Sequence, residues 1–177
     1  MLTASKIIEE VNNGKIFISD FDKNKINPNS YNVTLNKKLL VYTSSILSTT
    51  QPNETKEIII PEEGYVLKAG EFYLGATNEV IGTDYYVPKI DGRSSLGRLG
   101  LLIHYTAGFG DIGFKGTFTL EISSVKDLFI KPNMEIGQVS FDVPYGDIDM
   151  LYTGRYQNQI DPTASKYDAK RNYFYSK

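Results

Sequence analysis

The stretch that decides the fold is residues 104–122, which read HYTAGFGDIGFKGTFTLEI. From residue 117 onward, polar and apolar residues alternate, and Glu121 occupies one of the polar positions. Successive side chains of a β-strand point to opposite faces of the sheet, so this pattern predicts a strand with one apolar face. Glu121 is therefore predicted to point away from the core.

Similar short apolar or alternating segments recur along the chain between turn-forming residues, and each is a strand candidate. They are residues 31–35, 39–42, 58–60, 65–67, 72–76, 85–90, 101–106, 117–122 and 138–143. One helix is predicted near the N-terminus, capped by Thr3 or Ser5 and ended by Gly14. Many short strands without intervening helices predict an all-β sandwich, jelly roll or barrel.

Length and composition indicate one folded domain over residues 1–177. Hydrophobic residues make up 41% of the chain and charged residues 23%, which is ordinary for a globular protein. The formal net charge of -2 gives no general reason to bind a nucleic-acid polymer or an anionic membrane. Residues 1–15 contain no apolar run of signal-peptide length, so we expect a cytoplasmic protein.

The near absence of cysteine and histidine excludes several kinds of site. The chain has no cysteine and a single histidine, His104. Disulfides, thiolate nucleophiles and cysteine-ligated metal sites are therefore excluded, and so is a His/Cys/Cys zinc site. His104 is interpreted as a hydrogen-bonded packing residue without a catalytic role.

Beyond Val143 the chain becomes polar and aromatic, and residues 144–177 are predicted to form a C-terminal arm. The arm is too aromatic for a solvated linker and too short for a core of its own. We therefore expect it to be ordered against a neighbouring subunit or a ligand. Residues 44–56 are polar and predict an exposed loop.

The first segment that could carry chemistry is DGRSSLGRLGL, residues 91–101. Ser94 or Ser95 could cap a helix of little more than one turn, with Leu96 and Leu99 facing inward. The helix start, together with Arg93 and Arg98, could hold a polyphosphate. An ordinary turn with two surface arginines explains the same residues.

The second segment is the opening stretch itself, with four glycines in residues 108–116. Glycine allows a backbone to approach a ligand closely, and Asp111 among them could accept hydrogen bonds from a sugar hydroxyl. Glu121 could act as a general base, although a strand carboxylate is more often a solvated or lysine-paired surface group.

Blocks along nearly the whole chain resemble, in order, the dCTP deaminase branch of the dUTPase-like superfamily. They are NPNSYNVTL at residues 27–35, GEFYLG at 70–75, GRSSLGRLGL at 92–101, TAGF at 106–109, GFKG at 113–116, TLE at 119–121, IGQ at 136–138 and RYQNQ at 155–159. The resemblance implies a distorted jelly roll of the β-clip, dUTPase-like kind, assembled as a homotrimer with active sites between subunits. Mg²⁺ would be held mainly by the substrate phosphates, and residues 144–177 would close over the site.

The resemblance also implies roles for individual residues. Glu121 corresponds to the general base, Ser94 and Arg98 to reaction-centre contacts, and Ala107 to a main-chain carbonyl beside the water or the amino group. The implied substrate contacts are Arg93, Ser94, Ser95, Leu96, Gly97, Arg98, Asp111, Thr119, Leu120, Glu121, Gln138, Arg155 and Gln159, with Tyr152 or Tyr145 as the family's tyrosine. Arg155 stands where the family usually has lysine, which replaces a point charge with a planar fork.

The function implied is deamination of dCTP at C4 of cytosine without zinc, with Mg²⁺ as the cofactor. The glycine-rich residues 106–111 resemble the deaminases that also cleave the triphosphate, which favours dUMP, pyrophosphate and ammonia as products. A deaminase releasing dUTP, a plain dUTPase and a non-enzymatic nucleotide sensor on the same fold remain alternatives. The expected ligands are dCTP and dUTP, with dTTP as a candidate feedback ligand.

Overall fold

A computed structural model describes residues 1–166 and shows a mostly β fold. It contains the helices α1 (Ala4–Asn12) and α2 (Ser94–Gly97), a 3₁₀ turn (Lys23–Lys25), and the strands β1 (Phe17–Ile18), β2 (Ile26–Asn27), β3 (Ser30–Thr34), β4 (Lys38–Tyr42), β5 (Thr55–Ile59), β6 (Tyr65–Leu67), β7 (Tyr73–Gly82), β8 (Val87–Gly92), β9 (Leu101–Leu102), β10 (Lys115–Ser124), β11 (Leu128–Ile130) and β12 (Glu135–Asp142). The all-β class with a short N-terminal helix is thus confirmed.

The strands form antiparallel sheets around one core. The largest sheet has the order β5-β4-β7-β10-β9, with β1 also paired to β7. A four-stranded sheet has the order β2-β3-β12-β8, and β6 pairs with β11. Buried apolar residues from the two larger sheets, among them Val33, Leu120 and Phe141, belong to one continuous hydrophobic cluster. Burial of this shared apolar surface is the main force that holds the sheets together.

Strand β10 has the facing that the alternation predicts. Leu120 and Ile122 are fully buried, whereas Thr119 and Glu121 are half-buried on the other face. Thr117 departs from the pattern because the C-terminal arm covers it: its N–H donates to the carbonyl of Gln159 at 3.0 Å. One face of β10 therefore supports the core, while the other is available to form a site.

The predicted strand 101–106 is wrong beyond its second residue, because β9 ends at Leu102. The Ile103 carbonyl still accepts the Glu121 N–H at 2.9 Å. The N–H groups of Tyr105 and Thr106, however, donate to the Glu121 carboxylate. The strands β1 and β2 were not predicted, because two residues are too few to show a periodic pattern, and the three-residue strand β11 was also missed.

The predicted helix near the N-terminus is confirmed. Thr3 is the N-cap residue of α1, although its side chain makes no capping hydrogen bond. Gly14 follows the helix with a positive φ of 71°, a conformation in which glycine carries no steric penalty. Neither helix within residues 1–166 is long and apolar enough to cross a membrane.

The short helix α2 is also confirmed, but two details of its prediction are wrong. Arg93 is the N-cap residue rather than Ser94 or Ser95, because the extended backbone of β8 continues to Arg93. Leu96 packs against the core, whereas Leu99 is 56% exposed and does not share its inward face. The helix ends before Leu99, so the two leucines do not keep helical spacing.

The described part of the C-terminal arm, residues 144–166, packs in part against its own chain. Tyr152 N–H donates to the Ile112 carbonyl at 2.8 Å, and Asn158 N–H donates to the Lys115 carbonyl at 2.8 Å. Farther along, the Lys38 ammonium pairs with the Asp161 carboxylate at 3.0 Å. Residues 167–177 of the predicted arm lie outside the described residues.

Candidate active site

A cavity of about 1110 Å³ lies where strand β10, residues 107–111 and the arm meet. The predicted site residues that line it are Ala107, Asp111, Thr119, Glu121, Tyr152, Arg155 and Gln159. Aromatic side chains supply much of the remaining wall: Tyr42, Phe72, Phe109, Phe114, Phe118 and Tyr156. An apolar wall with a few polar groups is typical of a small-molecule site.

Glu121 lies on the β10 side of this cavity. Its Oε2 accepts hydrogen bonds from the main-chain N–H groups of Tyr105 at 2.6 Å and Thr106 at 3.4 Å. The ion pairs found within residues 1–166 do not include Glu121, so it differs from the lysine-paired surface glutamate that residue type alone favours. The carboxylate is positioned to accept a proton inside the cavity.

Ala107 and Asp111 lie on the glycine-rich segment opposite β10. Strand β8 anchors this segment, because the Ile90 N–H donates to the Gly108 carbonyl and the Gly110 N–H to the Pro88 carbonyl, both at 2.7 Å. Asp111 is exposed and also borders a second, adjoining cavity of about 590 Å³. Its carboxylate can accept hydrogen bonds from a ligand hydroxyl.

The arm contributes Gln159 to the cavity wall beside β10. Its Nε2 donates to the Thr117 carbonyl at 2.7 Å and approaches the Thr119 hydroxyl at 3.4 Å. The Oε1 atom of Gln159 is buried and has no hydrogen-bond partner among residues 1–166. A buried polar atom without a partner is costly, so this oxygen is a natural acceptor for a ligand donor or a water molecule.

Tyr152 and Arg155 complete the arm side of the cavity. The Tyr152 ring packs edge-on against Phe114 with 5.8 Å between ring centroids, and its hydroxyl accepts the Tyr156 N–H at 3.1 Å. Burial raises the pKa of the Tyr152 phenol above its ordinary value, so the phenol stays neutral near pH 7. Arg155 is half-buried and supplies a positive charge to the cavity lining.

A second group of predicted residues lies on the same chain but does not line this cavity. It comprises Arg93, Ser94, Ser95, Leu96, Gly97 and Arg98 around α2, together with Gln138 on β12. The Gln138 amide joins them, because Nε2 donates to the Gly92 carbonyl at 3.0 Å and Oε1 accepts the Ser30 hydroxyl at 2.6 Å. The Arg93 guanidinium forms an ion pair with Glu135 at 2.5 Å.

The remaining predicted residues lie elsewhere. The Leu120 side chain is fully buried in the core, so only its main chain could contact a ligand. Tyr145 is fully exposed and Tyr152 lines the cavity, which favours Tyr152 as the tyrosine of the site. His104 does not line the cavity, and its Nε2 lies 3.3 Å from the Asp91 carboxylate.

The sequence interpretation missed two kinds of residue at the site. The first is the aromatic wall, of which Tyr42 and Phe72 come from strand and loop positions far from β10 in sequence. The second is Tyr105, whose N–H binds Glu121 although its side chain gave no sign of a role. Among residues 1–166, no group of three or more His, Cys, Asp or Glu side chains could hold a metal ion.

Comparison with known proteins shows the family. The model of the family described as dCTP deaminase-like matches residues 1–143. The chain belongs to this dCTP deaminase-like family. The match ends where the arm begins, so the family model covers the sheets, the α2 turn and the glycine-rich segment.

Two relatives agree with this assignment, and one solved structure shares the fold. A Clostridium beijerinckii protein named "dCTP deaminase, dUMP-forming" is 50% identical over 158 residues, which is 89% of this chain and 91% of the relative. A Cytophaga hutchinsonii protein of the same name is 42% identical over 158 residues, again 89% and 91%. The crystal structure of a 2'-deoxycytidine 5'-triphosphate deaminase from Agrobacterium tumefaciens superposes with a TM-score of 0.64 at 19% identity, over 81% of this chain and 48% of that one. The last similarity concerns the fold alone.

Proposed function

We propose that this protein deaminates dCTP at C4 of cytosine and cleaves the triphosphate in the same site, giving dUMP, pyrophosphate and ammonia. The observation that carries the proposal is the Glu121 carboxylate, held by two main-chain N–H groups at the wall of a large cavity. The names of relatives at 42–50% identity support the substrate and the product. The expected use is the supply of dUMP.

Deamination requires a nucleophilic water and a path for its protons. The water oxygen attacks C4 while Glu121 takes one of its protons and passes it to N3 of the ring. Glu121 then takes the remaining proton from the C4 hydroxyl and delivers it to the amino nitrogen. The C4–N bond breaks, C4 becomes a carbonyl, and ammonia leaves a uracil ring. The Ala107 carbonyl is proposed to orient the water or the amino group, while Ser94 and Arg98 stabilise charge at the tetrahedral centre.

Triphosphate cleavage consumes a second water, which attacks the α-phosphorus and displaces pyrophosphate. Mg²⁺ is proposed to arrive with the nucleotide, bound to its phosphates, as part of the substrate. Arg93, Ser95 and Arg155 are the proposed phosphate contacts. The N–H groups of Leu96 and Gly97 already donate to the Arg93 carbonyl, at 3.0 and 2.9 Å, so these two residues are proposed to border the nucleotide without donating to it. Asp111 is proposed to accept a hydrogen bond from the deoxyribose hydroxyl.

The arrangement of the predicted residues in two groups supports an assembled site. One group surrounds Glu121 and the other surrounds α2, and the second does not line the Glu121 cavity of the same chain. We propose that the chains form a homotrimer of distorted jelly rolls in which one subunit's α2 segment meets another's Glu121 cavity. Closure of the site by the full arm, feedback by dTTP and a cytoplasmic location stay predictions from the sequence.

A product assay tests the function directly. Purified protein is incubated with dCTP and Mg²⁺, the nucleotides are separated by anion-exchange chromatography, and ammonia and pyrophosphate are measured in parallel. We expect dUMP, pyrophosphate and ammonia in equal amounts, without accumulation of dUTP. A matched incubation with dUTP shows whether free dUTP is itself a substrate.

Each alternative gives a different result in this assay. Accumulating dUTP would identify a deaminase without the second step. Hydrolysis of dUTP with no reaction of dCTP would identify a plain dUTPase. Binding of dCTP or dTTP without turnover of any nucleotide would identify a sensor and overturn the enzymatic proposal.

A further inference from the structure

Tyr105 contacts strand β10 at two points on the face that carries Glu121. Its main-chain N–H donates to Glu121 Oε2 at 2.6 Å, and its side-chain hydroxyl donates to Ser123 Oγ at 2.6 Å. Residues i and i+2 of a strand lie on the same face, so Glu121 and Ser123 are neighbours on one face of β10. One residue thus ties the segment after β9 to the strand that bears the proposed base.

The side chain of Tyr105 is fixed on two sides. Ser123, its hydrogen-bond partner, is only 6% exposed. The Tyr105 ring also packs edge-on against Phe72, with ring centroids 5.6 Å apart and an interplanar angle of 68°. Ser123 lies in β10 and Phe72 immediately precedes β7, so one face of the ring is held against two neighbouring strands, while Tyr105 as a whole is 55% exposed.

We propose that Tyr105 is a positioning residue for Glu121, an inference that rests on the function proposed above. The Tyr105–Ser123 hydrogen bond holds the main chain of residues 105 and 106 so that their N–H groups fix Oε2 of the carboxylate. Within residues 1–166, Oε1 makes no hydrogen bond that would occupy it. The second oxygen is therefore presented to the cavity in one orientation, ready to take the proton from water.

The Tyr105–Ser123 hydrogen bond can be removed by changing either residue, with little change in the shape of the side chains. Tyr105→Phe keeps the ring and its contact with Phe72 but deletes the hydroxyl, and Ser123→Ala deletes the acceptor. We expect each variant to lower kcat for dCTP by about tenfold and to leave KM within about twofold, because the loss concerns orientation of the base and not nucleotide binding. The double variant should be no slower than the slower single variant, since both changes remove the same bond.

Ser124→Ala is the matched control. Ser124 is the next residue, is 2% exposed, and its hydroxyl has no hydrogen-bond partner among the described residues. The same truncation at the same depth on the opposite face of β10 should leave kcat unchanged. A similar loss in Ser124→Ala would show that truncation of any buried β10 serine disturbs the strand, and would overturn the specific role of the Tyr105 bond.

A second measurement does not depend on activity. Amide hydrogen exchange at Tyr105 and Thr106, followed by NMR, should be faster in Tyr105→Phe and Ser123→Ala than in the wild type, and unchanged in Ser124→Ala. Wild-type kcat in both variants, or unchanged exchange at both amides, would overturn the positioning role. If the wild-type protein does not deaminate dCTP, the proposed function fails, and the exchange rates still decide whether the Tyr105 bond holds these amides.

Discussion

At the scale of single residues, Glu121 lies where a strand side chain would ordinarily meet solvent or a lysine. Its Oε2 instead accepts main-chain N–H groups, because the chain leaves the sheet after Ile103 and frees the amides of residues 105 and 106. Amide donors fix a carboxylate oxygen without neutralising its charge, whereas a lysine would form an ion pair with it. This environment suits a group that must take up and release a proton.

Replacing Glu121 by glutamine tests directly whether this residue is the proposed base. The amide oxygen of glutamine can still accept the Tyr105 N–H, so the segment 105–106 should keep its position, but the side chain can no longer accept a proton from water. We expect ammonia release from dCTP to fall by about a thousandfold or more, and nucleotide affinity measured by calorimetry to change by less than about threefold. The control Glu57→Gln removes a strand glutamate that pairs with Lys38 outside the cavity, and should keep full activity.

The sequence predicted which way Glu121 points but not what holds it. The direction of the Glu121 side chain follows from the alternation of polar and apolar residues in β10, which has the two-residue period of a strand. The amide bonds depend on β9 ending at Leu102, and the apolar residues that follow Leu102 gave no local signal for that end. The partnership of Tyr105 with Ser123 joins residues 18 positions apart, and such pairs appear only once the backbone path is known.

At the scale of elements, the arm packs against β10 and the turn before it through close backbone contact. Its path next to residues 113–117 requires glycine: an added Cβ at Gly116 would lie 2.9 Å from the Gln159 carbonyl oxygen. The composition predicted that the arm is ordered by contact with a neighbouring subunit or a ligand. The described part packs against its own chain as well, because its main-chain N–H groups find acceptors there, for example the Ile112 carbonyl.

Gly113→Ala should loosen this packing. Gly113 has a positive φ of 91°, and an added Cβ would lie 2.7 Å from Leu151 Cβ and 2.8 Å from the Tyr152 main-chain nitrogen. We expect segment 151–152 to move away, the KM for dCTP to rise by about tenfold, and chymotrypsin to cleave after Tyr152 and Tyr156 more rapidly. Fragment masses over a digestion time course measure the last effect independently of activity.

Gly146→Ala separates steric conflict from backbone strain. Gly146 also has a positive φ, 103°, but an added Cβ there would meet no atom within 4 Å. Both substitutions carry the left-handed backbone cost of about 1–2 kcal/mol, whereas only Gly113→Ala should displace the arm. Equal KM values and equal digestion rates in the two variants would contradict the close packing at Gly113.

At the scale of the whole molecule, the predicted residues fall into two groups that one chain does not bring together. Gln138 and Glu135 on β12 hold the segment around α2 through Gly92 and Arg93, and the predicted residues of that segment do not line the Glu121 cavity. The all-β class followed from local patterns along the sequence. The separation of the two groups within one chain could not, since it depends on how the sheets pack.

Subunit mixing tests whether one site takes Glu121 from one chain and Arg98 from another. Arg98→Ala and Glu121→Gln subunits should each be inactive alone, and should regain activity when they are unfolded, mixed in equal amounts and refolded together. With random assembly, a site that draws its two residues from different chains is intact in roughly one quarter of cases, so about a quarter of the wild-type rate is expected. Mixing Arg98→Ala with the double variant Arg98→Ala/Glu121→Gln provides no intact Arg98 and should stay inactive. If the first mixture is also inactive while light scattering shows that mixed oligomers form, each site must be built from a single chain, and the proposed assembly is wrong.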